Sequence, residues 1–218
     1  MIELKHPFVL RCINLNDLFQ DCQDLSTYMS RITKQSRMTP EGLTLEPFQN
    51  PQDAPPVQCL VIDANKYKGD SLELLGEALI KLSPMDKRIG ICNYEPVLSH
   101  DRGVDGFGTS LSNLRPATVQ FKWRIPNAIL TANRDHLSNF TSSSMFFYGV
   151  LPQDTDNMLI ITTGKDLHHF TDNEMFSGKV RTINYDLLKK LVDGNLAFWQ
   201  MFREAVFCAK NKVSPKIQ

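Results

Sequence analysis

Five of the twelve prolines in this 218-residue chain fall between Thr39 and Val57, at Pro40, Pro47, Pro51, Pro55 and Pro56. Each lacks an amide hydrogen and disfavours helix in the residue before it, so no helix or central strand can run through this stretch. It reads as an extended connector. The expected organisation is an N-terminal strand and helix (residues 1–38), the connector (39–57) and a main α+β domain (58–218), together one compact body. The length suffices to bury a sizeable core. Lys+Arg and Asp+Glu number 24 each, and 42% of residues are hydrophobic. These figures describe an ordered globule and exclude a bulk-basic nucleic-acid binder, an acidic disordered tail and a low-complexity chain. A local basic face stays open.

Before the connector, the apolar run Phe8 to Cys12 is followed by Leu18, Cys22, Leu25, Met29 and Ile32, spaced as one helical stripe behind an Asn16 cap. After it, Val57 to Ile62 reads as a buried strand, and Asp70-Ser71-Leu72-Glu73 resembles a capping box opening an inserted helix over 70–82. Ile89 to Leu98 reads as a strand that Pro96 confines to an edge. His100 to Pro116 reads as a loop. From Thr118 to Ile125 the residues alternate, with Val119, Phe121, Trp123 and Ile125 inward and Gln120, Lys122 and Arg124 outward. Met145–Leu151 and Met158–Thr163 read as a hairpin with a six-residue loop. Asn184 caps a helix to Val192, and after Gly194 the last helix, Asn195 to Lys210, is apolar around more than half its circumference. That width suits a central core helix or a packing surface for another chain. The fold expected is a mainly antiparallel β core with helices near both ends and one inserted helix.

No stretch reaches the roughly 20 apolar residues of a membrane span, and charges at Glu3, Lys5 and Arg11 interrupt any leader-like run, so an intracellular, non-secreted protein is expected. The five cysteines, Cys12, Cys22, Cys59, Cys92 and Cys208, form no CxxC pair and read as small buried hydrophobes in a reducing compartment. The sequon at Asn139 is then idle.

Gly103-Val104-Asp105-Gly106-Phe107-Gly108 reverses the glycine order of a dinucleotide loop and lacks a following Lys-Ser/Thr pair, so it reads as a turn. Asp166, His168, His169 and Asp172 are metal-ligand types, but adjacent histidines point to different faces, so no metal is expected there. Asp63, at the end of an apolar strand, either turns the chain into the 70–82 helix or anchors a divalent-metal site with Glu95, Asp101 or Asp105. No nucleophile elbow is present. The outward row of β cations, Lys122 and Arg124, extended by Arg134 and by Lys165, Lys179 and Arg181, could track a phosphate backbone.

Two patches resemble the thirty-kilodalton superfamily of plant-virus movement proteins. One is Cys59-Leu60-Val61-Ile62-Asp63 followed by Leu75-Gly76 and Ala78. The other is Phe121-Lys122-Trp123-Arg124-Ile125-Pro126-Asn127 with Thr131 and Asp135 behind it. About thirty-five residues between them look like an insertion, and the long charged C-terminal tail of many members is missing. The resemblance implies a jelly-roll-like core and a non-enzymatic viral protein that binds single-stranded nucleic acid, self-associates and acts at host membranes, with Asp63 structural. On that reading Lys122, Arg124 and Arg134 touch nucleic acid. Leu18, Leu25, Met29, Trp199 and Phe202 form the self-association surface, and no cofactor is needed. Two competitors stand: a viral matrix or assembly protein using the two apolar helices, and a metal-dependent enzyme centred on Asp63.

Overall fold

The computed structural model describes residues 2–36, 64–98, 103–131, 135–167 and 180–213. The connector, the 57–62 strand and Asp63 lie outside them. The chain divides into two units, Met1–Leu74 with Val192–Gln218, and Leu75–Leu191. The first unit takes the residues on both flanks of the proline-rich stretch.

The first unit is helical. The run at Phe8 is a helix, α1 (Pro7–Cys12), and not a strand; Pro7 at its first turn needs no amide donor there. The stripe from 18 to 32 is two helices, α2 (Leu15–Phe19) and α3 (Leu25–Gln35), because Asp21 takes a positive φ and breaks the path between them. Asn14, not Asn16, caps α2. Asp24 caps α3 by accepting from the Thr27 amide at 2.8 Å. Burial disfavours its charge, but hydrogen bonds from Ser26 and Thr27 hold its pKa at about 2. The chain re-enters this unit at Val192, and Gly194 has a φ of +68° that suits glycine and an N–H that donates to Gln23 O at 2.9 Å. Asn195 then caps α7 (Leu196–Val213). The α7 face Phe198, Trp199, Phe202, Ala205, Val206 and Ala209 is buried, while Leu196, Met201 and Phe207 on its remaining circumference are exposed. Cys12, Cys22, Cys92 and Cys208 are in no disulfide, and burial pushes the Cys22 thiol up to about 11 despite nearby Arg31.

The second unit is built on a five-stranded sheet in the order β1-β2-β3-β5-β7: β1 (Ile91–Pro96), β2 (Gly106–Ser110), β3 (Pro116–Lys122), β5 (Met158–Thr162) and β7 (Arg181–Ile183). Strands β4 (Ile129–Leu130) and β6 (Asp166–Leu167) pair separately. As expected, the unit mixes helix with antiparallel strands, β1–β2–β3, and β1 lies at an edge. The pairs β3–β5 and β5–β7 are parallel. A parallel pair needs a crossover, and α5 (Leu137–Tyr148) supplies the one between β3 and β5. Residues 145–148 therefore belong to a helix that ends at Gly149 in the left-handed region, and the expected hairpin is replaced by a 3₁₀ turn, Pro152–Asn157. Among the described residues no pair of packed antiparallel sheets of the jelly-roll kind occurs.

The glycine-rich loop is corrected in part: Gly106 to Ser110 form strand β2, while Gly103 to Asp105 precede it. A Cβ on Gly108 would lie 2.6 Å from the Cys92 carbonyl, and one on Gly106 would strike the Tyr94 ring, so glycine lets β2 seat against β1. The inserted helix is longer than expected, α4 (Ala64–Leu82), and Asp70 is no cap but an i,i+4 partner of Lys66 at 2.8 Å. Its later part belongs to this unit. There Gly76 meets the Phe121 ring so closely that a Cβ would collide with it. Gly76→Ala is expected to destabilise the protein by about 1–3 kcal/mol through overpacking, despite the better helix propensity of alanine. Urea unfolding checks this, and a more stable variant would refute the close approach.

On the opposite face of β3, Thr118 Oγ1 and Ser144 Oγ of α5 lie 2.8 Å apart. Helices thus cover both faces of β3, which explains why Ala117 to Phe121 are all buried and the alternation read from sequence does not produce a solvated side.

Candidate functional site

The site forms where β2 begins and β3 ends. Antiparallel register pairs Gly106 with Val119, which sets Asp105 opposite Gln120. Beyond the last ladder pair, the Asp105 side chain takes over the role of the missing strand residue: its Oδ2 accepts the Phe121 N–H at 2.6 Å, while the Asp105 N–H donates to Val119 O at 2.9 Å. The carboxylate is therefore held against β3 at the residue between Gln120 and Lys122. Those two side chains share one face of the strand by its period of two. Gln120 is 1% exposed, and its Oε1 has no hydrogen-bond partner. A buried carboxamide oxygen without a partner is costly, and such groups mark strain, an ordered water or a ligand position.

Gln120 and Lys122 open into a cavity of about 490 Å³ whose other walls are Gly103 and, from α5 and its approach, His136, Asn139, Ser142, Ser143 and Phe147. No acidic side chain lines it. His136, in the left-handed region at φ 54°, precedes α5 without a side-chain cap on the first turn. Lys122 is half-buried, and no described carboxylate is ion-paired with it. Its backbone carbonyl is fixed by the Thr162 hydroxyl at 2.8 Å and the Thr163 amide at 3.2 Å, so strand β5 holds the end of β3 in place.

Arg124 does not extend the cation row. Its Nε donates to Asp135 Oδ1 at 2.8 Å, its Nη2 bonds the same oxygen, and the fully buried Asp135 also accepts from the Thr131 amide at 2.6 Å. The pair closes the 124–135 segment, and Arg124 is a tie rather than a phosphate contact. Arg181 is likewise engaged, donating to Ile89 O at 2.9 Å and Asp156 O at 2.7 Å. Arg134 and Lys179 lie outside the described residues, as do Asp63, Asp101, His168, His169 and Asp172. Among the described residues no three His, Cys, Asp or Glu side chains converge as a metal cluster.

The expected self-association residues are inside the first unit. Leu18, Leu25 and Phe202 are fully buried, and Trp199 is 3% and Met29 9% exposed. Phe202 stands 5.2 Å from Phe19 and 5.9 Å from Tyr28, and Trp199 stands 5.9 Å from Tyr28, all centroid to centroid. The two apolar helices contribute to one core, so these side chains are not free to meet a second copy.

Sequence reasoning placed Asp105 only as a helper of Asp63 and placed Gln120 in solvent. The signal that finds them is an acid opening one strand, a tight turn over 111–115, and a Gln-x-Lys pair on the returning strand.

No family model, no curated protein and no solved structure matches this chain. No described helix is long and apolar enough to cross a membrane.

Proposed function

We propose that the second unit is a divalent-metal-dependent phosphodiesterase acting on nucleic acid, with Asp105, Gln120 and Lys122 as its centre. The observation that carries this reading is made at two neighbouring residues of β3: the Phe121 amide holds the Asp105 carboxylate, and Gln120 carries a buried, unpartnered carboxamide oxygen. The donor set fits magnesium or manganese: both are hard cations, and magnesium is commonly held by one or two carboxylates plus substrate phosphate oxygens, without a cage of three protein ligands. The Asp105 carboxylate and Gln120 Oε1, at opposed positions of β2 and β3, would supply the hard oxygens. When bound, such an ion polarises a phosphoryl oxygen and lowers the pKa of its water.

The chain's own residues do the rest. Lys122 faces the phosphate and stabilises the negative charge that grows on its oxygens as water attacks phosphorus. The new P–O bond forms as the bond to the leaving sugar oxygen breaks; the attacking water gives up one proton to solvent and the leaving oxygen takes one from it. Asp105, fixed by Phe121 N–H, keeps its carboxylate in one orientation through the step. This moves the metal-enzyme alternative from Asp63 to Asp105 and keeps nucleic acid as the partner.

The movement-protein reading competes with it. Lys122 and the exposed rings of Phe146 and Phe147 support strand binding without cleavage. Incubating the full chain with end-labelled single- and double-stranded DNA and RNA separates the two. The phosphodiesterase reading expects cleavage in Mg²⁺ or Mn²⁺ that EDTA stops. Binding without cleavage of any of these substrates favours the movement-protein reading.

A further inference from the structure

The cavity between β3 and α5 carries donors and no acid among its lining residues, which suits an anion. We propose that it binds a phosphomonoester, with Lys122, His136, Asn139, Ser142 and Ser143 around the phosphate group. The anion assignment stands on the cavity alone; taking a nucleotide as the ester rests on the proposed function.

Asn139, Ser142 and Ser143 recur at spacings of three and four along one side of α5, and His136 precedes its first turn. Lys122 adds a cation from the end of β3. The first turn of α5 holds no acidic residue, so the positive end of its dipole also favours an anion. Asp135, just before it, is fully buried and held by Arg124 and the Thr131 amide.

Ser143 is the side chain that lacks a partner. Thr141 Oγ1 and Ser144 Oγ bond back to the carbonyls of Leu137 and Phe140 at 3.3 and 2.7 Å, the usual use of a hydroxyl inside a helix. Ser143 is 8% exposed, lines the cavity and has no hydrogen bond to any described residue. A hydroxyl buried this deeply calls for a partner inside the cavity. The two hydroxyls, the Asn139 amide, the imidazole and the ammonium all donate, and a phosphate dianion accepts from several donors at once. The volume of about 490 Å³ is that of a small-molecule pocket and leaves room for an ester group beyond the phosphate. Neither the Phe147 ring nor Gln120 is needed. Lys122 faces phosphate oxygens here as in the proposed function, so a monoester in the cavity and a diester at the centre exclude one another.

Isothermal titration calorimetry of the full chain in EDTA with uridine 5′-monophosphate, inorganic phosphate and uridine tests the assignment. The monophosphate is expected to bind at least about tenfold tighter than uridine, the contribution of charge-assisted hydrogen bonds, and tighter than inorganic phosphate. Ser143→Ala should weaken monophosphate binding about tenfold without lowering the unfolding temperature, because its hydroxyl bonds nothing described in the fold. Phe146→Ala, at a ring 84% exposed and outside the cavity, should bind as the wild type does. No binding of the monophosphate, uridine bound as tightly, or unchanged binding by Ser143→Ala overturns the assignment. Inorganic phosphate bound as tightly as the monophosphate overturns the ester. Cleavage in Mg²⁺ is read separately on the wild-type preparation. Monophosphate binding without cleavage retains the cavity assignment and removes the phosphodiesterase reading. Cleavage without monophosphate binding does the reverse.

Discussion

Lys122→Ala is expected to lower the cleavage rate by about 10²–10³-fold, the usual cost of removing one charge-stabilising group from a preorganised site. The effect should fall on the chemical step more than on strand affinity, because one phosphate contact among several contributes little to binding but faces the phosphorus directly. Lys122 is the last residue of β3, and its backbone is held by Thr162 and Thr163, so truncating its side chain leaves the strand pairing intact. Thermal unfolding should be nearly unchanged. Arg124→Ala provides the contrast. That change removes the guanidinium bonded to the fully buried Asp135 carboxylate, which keeps the Thr131 amide, and the expected outcome is a clearly destabilised protein. A charge-reversal of both positions would mix these two effects, so the single variants are the informative ones. An unchanged single-turnover rate for Lys122→Ala would refute its role.

Phe202→Ala is expected to cost about 3–5 kcal/mol of stability, the penalty for emptying a large aromatic site in a core. Phe202 is fully buried, edge-on to Phe19 and stacked at 5.7 Å on Phe198, with Tyr28 and Trp199 closing the remaining sides. A loss of this size is a large share of a typical domain's total. Urea unfolding should show the same reduced midpoint at low and high protein concentration. A wild-type midpoint that rises with concentration, with Phe202→Ala abolishing the rise, would instead make Phe202 part of a subunit interface and contradict its place in the first unit's core.

Local signals in the sequence were sufficient where the chain decides its own conformation. Asn184 caps α6 (Tyr185–Val192) by accepting from the Leu187 amide at 3.0 Å, as its spacing predicts, and Gly194 ends the turn that follows. Pro96 at the end of an edge strand follows from its missing donor. Where burial on a second side intervenes, periodicity misleads. Gln120 sits at a polar position of an alternating strand yet is covered by α5, and Met145 to Tyr148 are β-prone residues placed in a helix that a parallel crossover requires. The cations on one strand face looked alike in sequence. Only the partner carboxylate at Asp135 separates Arg124 from Lys122. Asp105 gave no motif on its own, because its meaning depends on the register that sets it opposite Gln120.

The phosphodiesterase centre is tested most directly by single-turnover cleavage of a labelled oligonucleotide in Mg²⁺ by wild-type protein and by Asp105→Asn purified in parallel. Asparagine keeps an acceptor oxygen for the Phe121 amide and removes the charge assigned to the cation in the proposed function. The expected result is Mg²⁺-dependent cleavage by the wild type and loss of at least about 10²-fold in the variant, with thermal unfolding of the two alike. Equal cleavage by both proteins would contradict it.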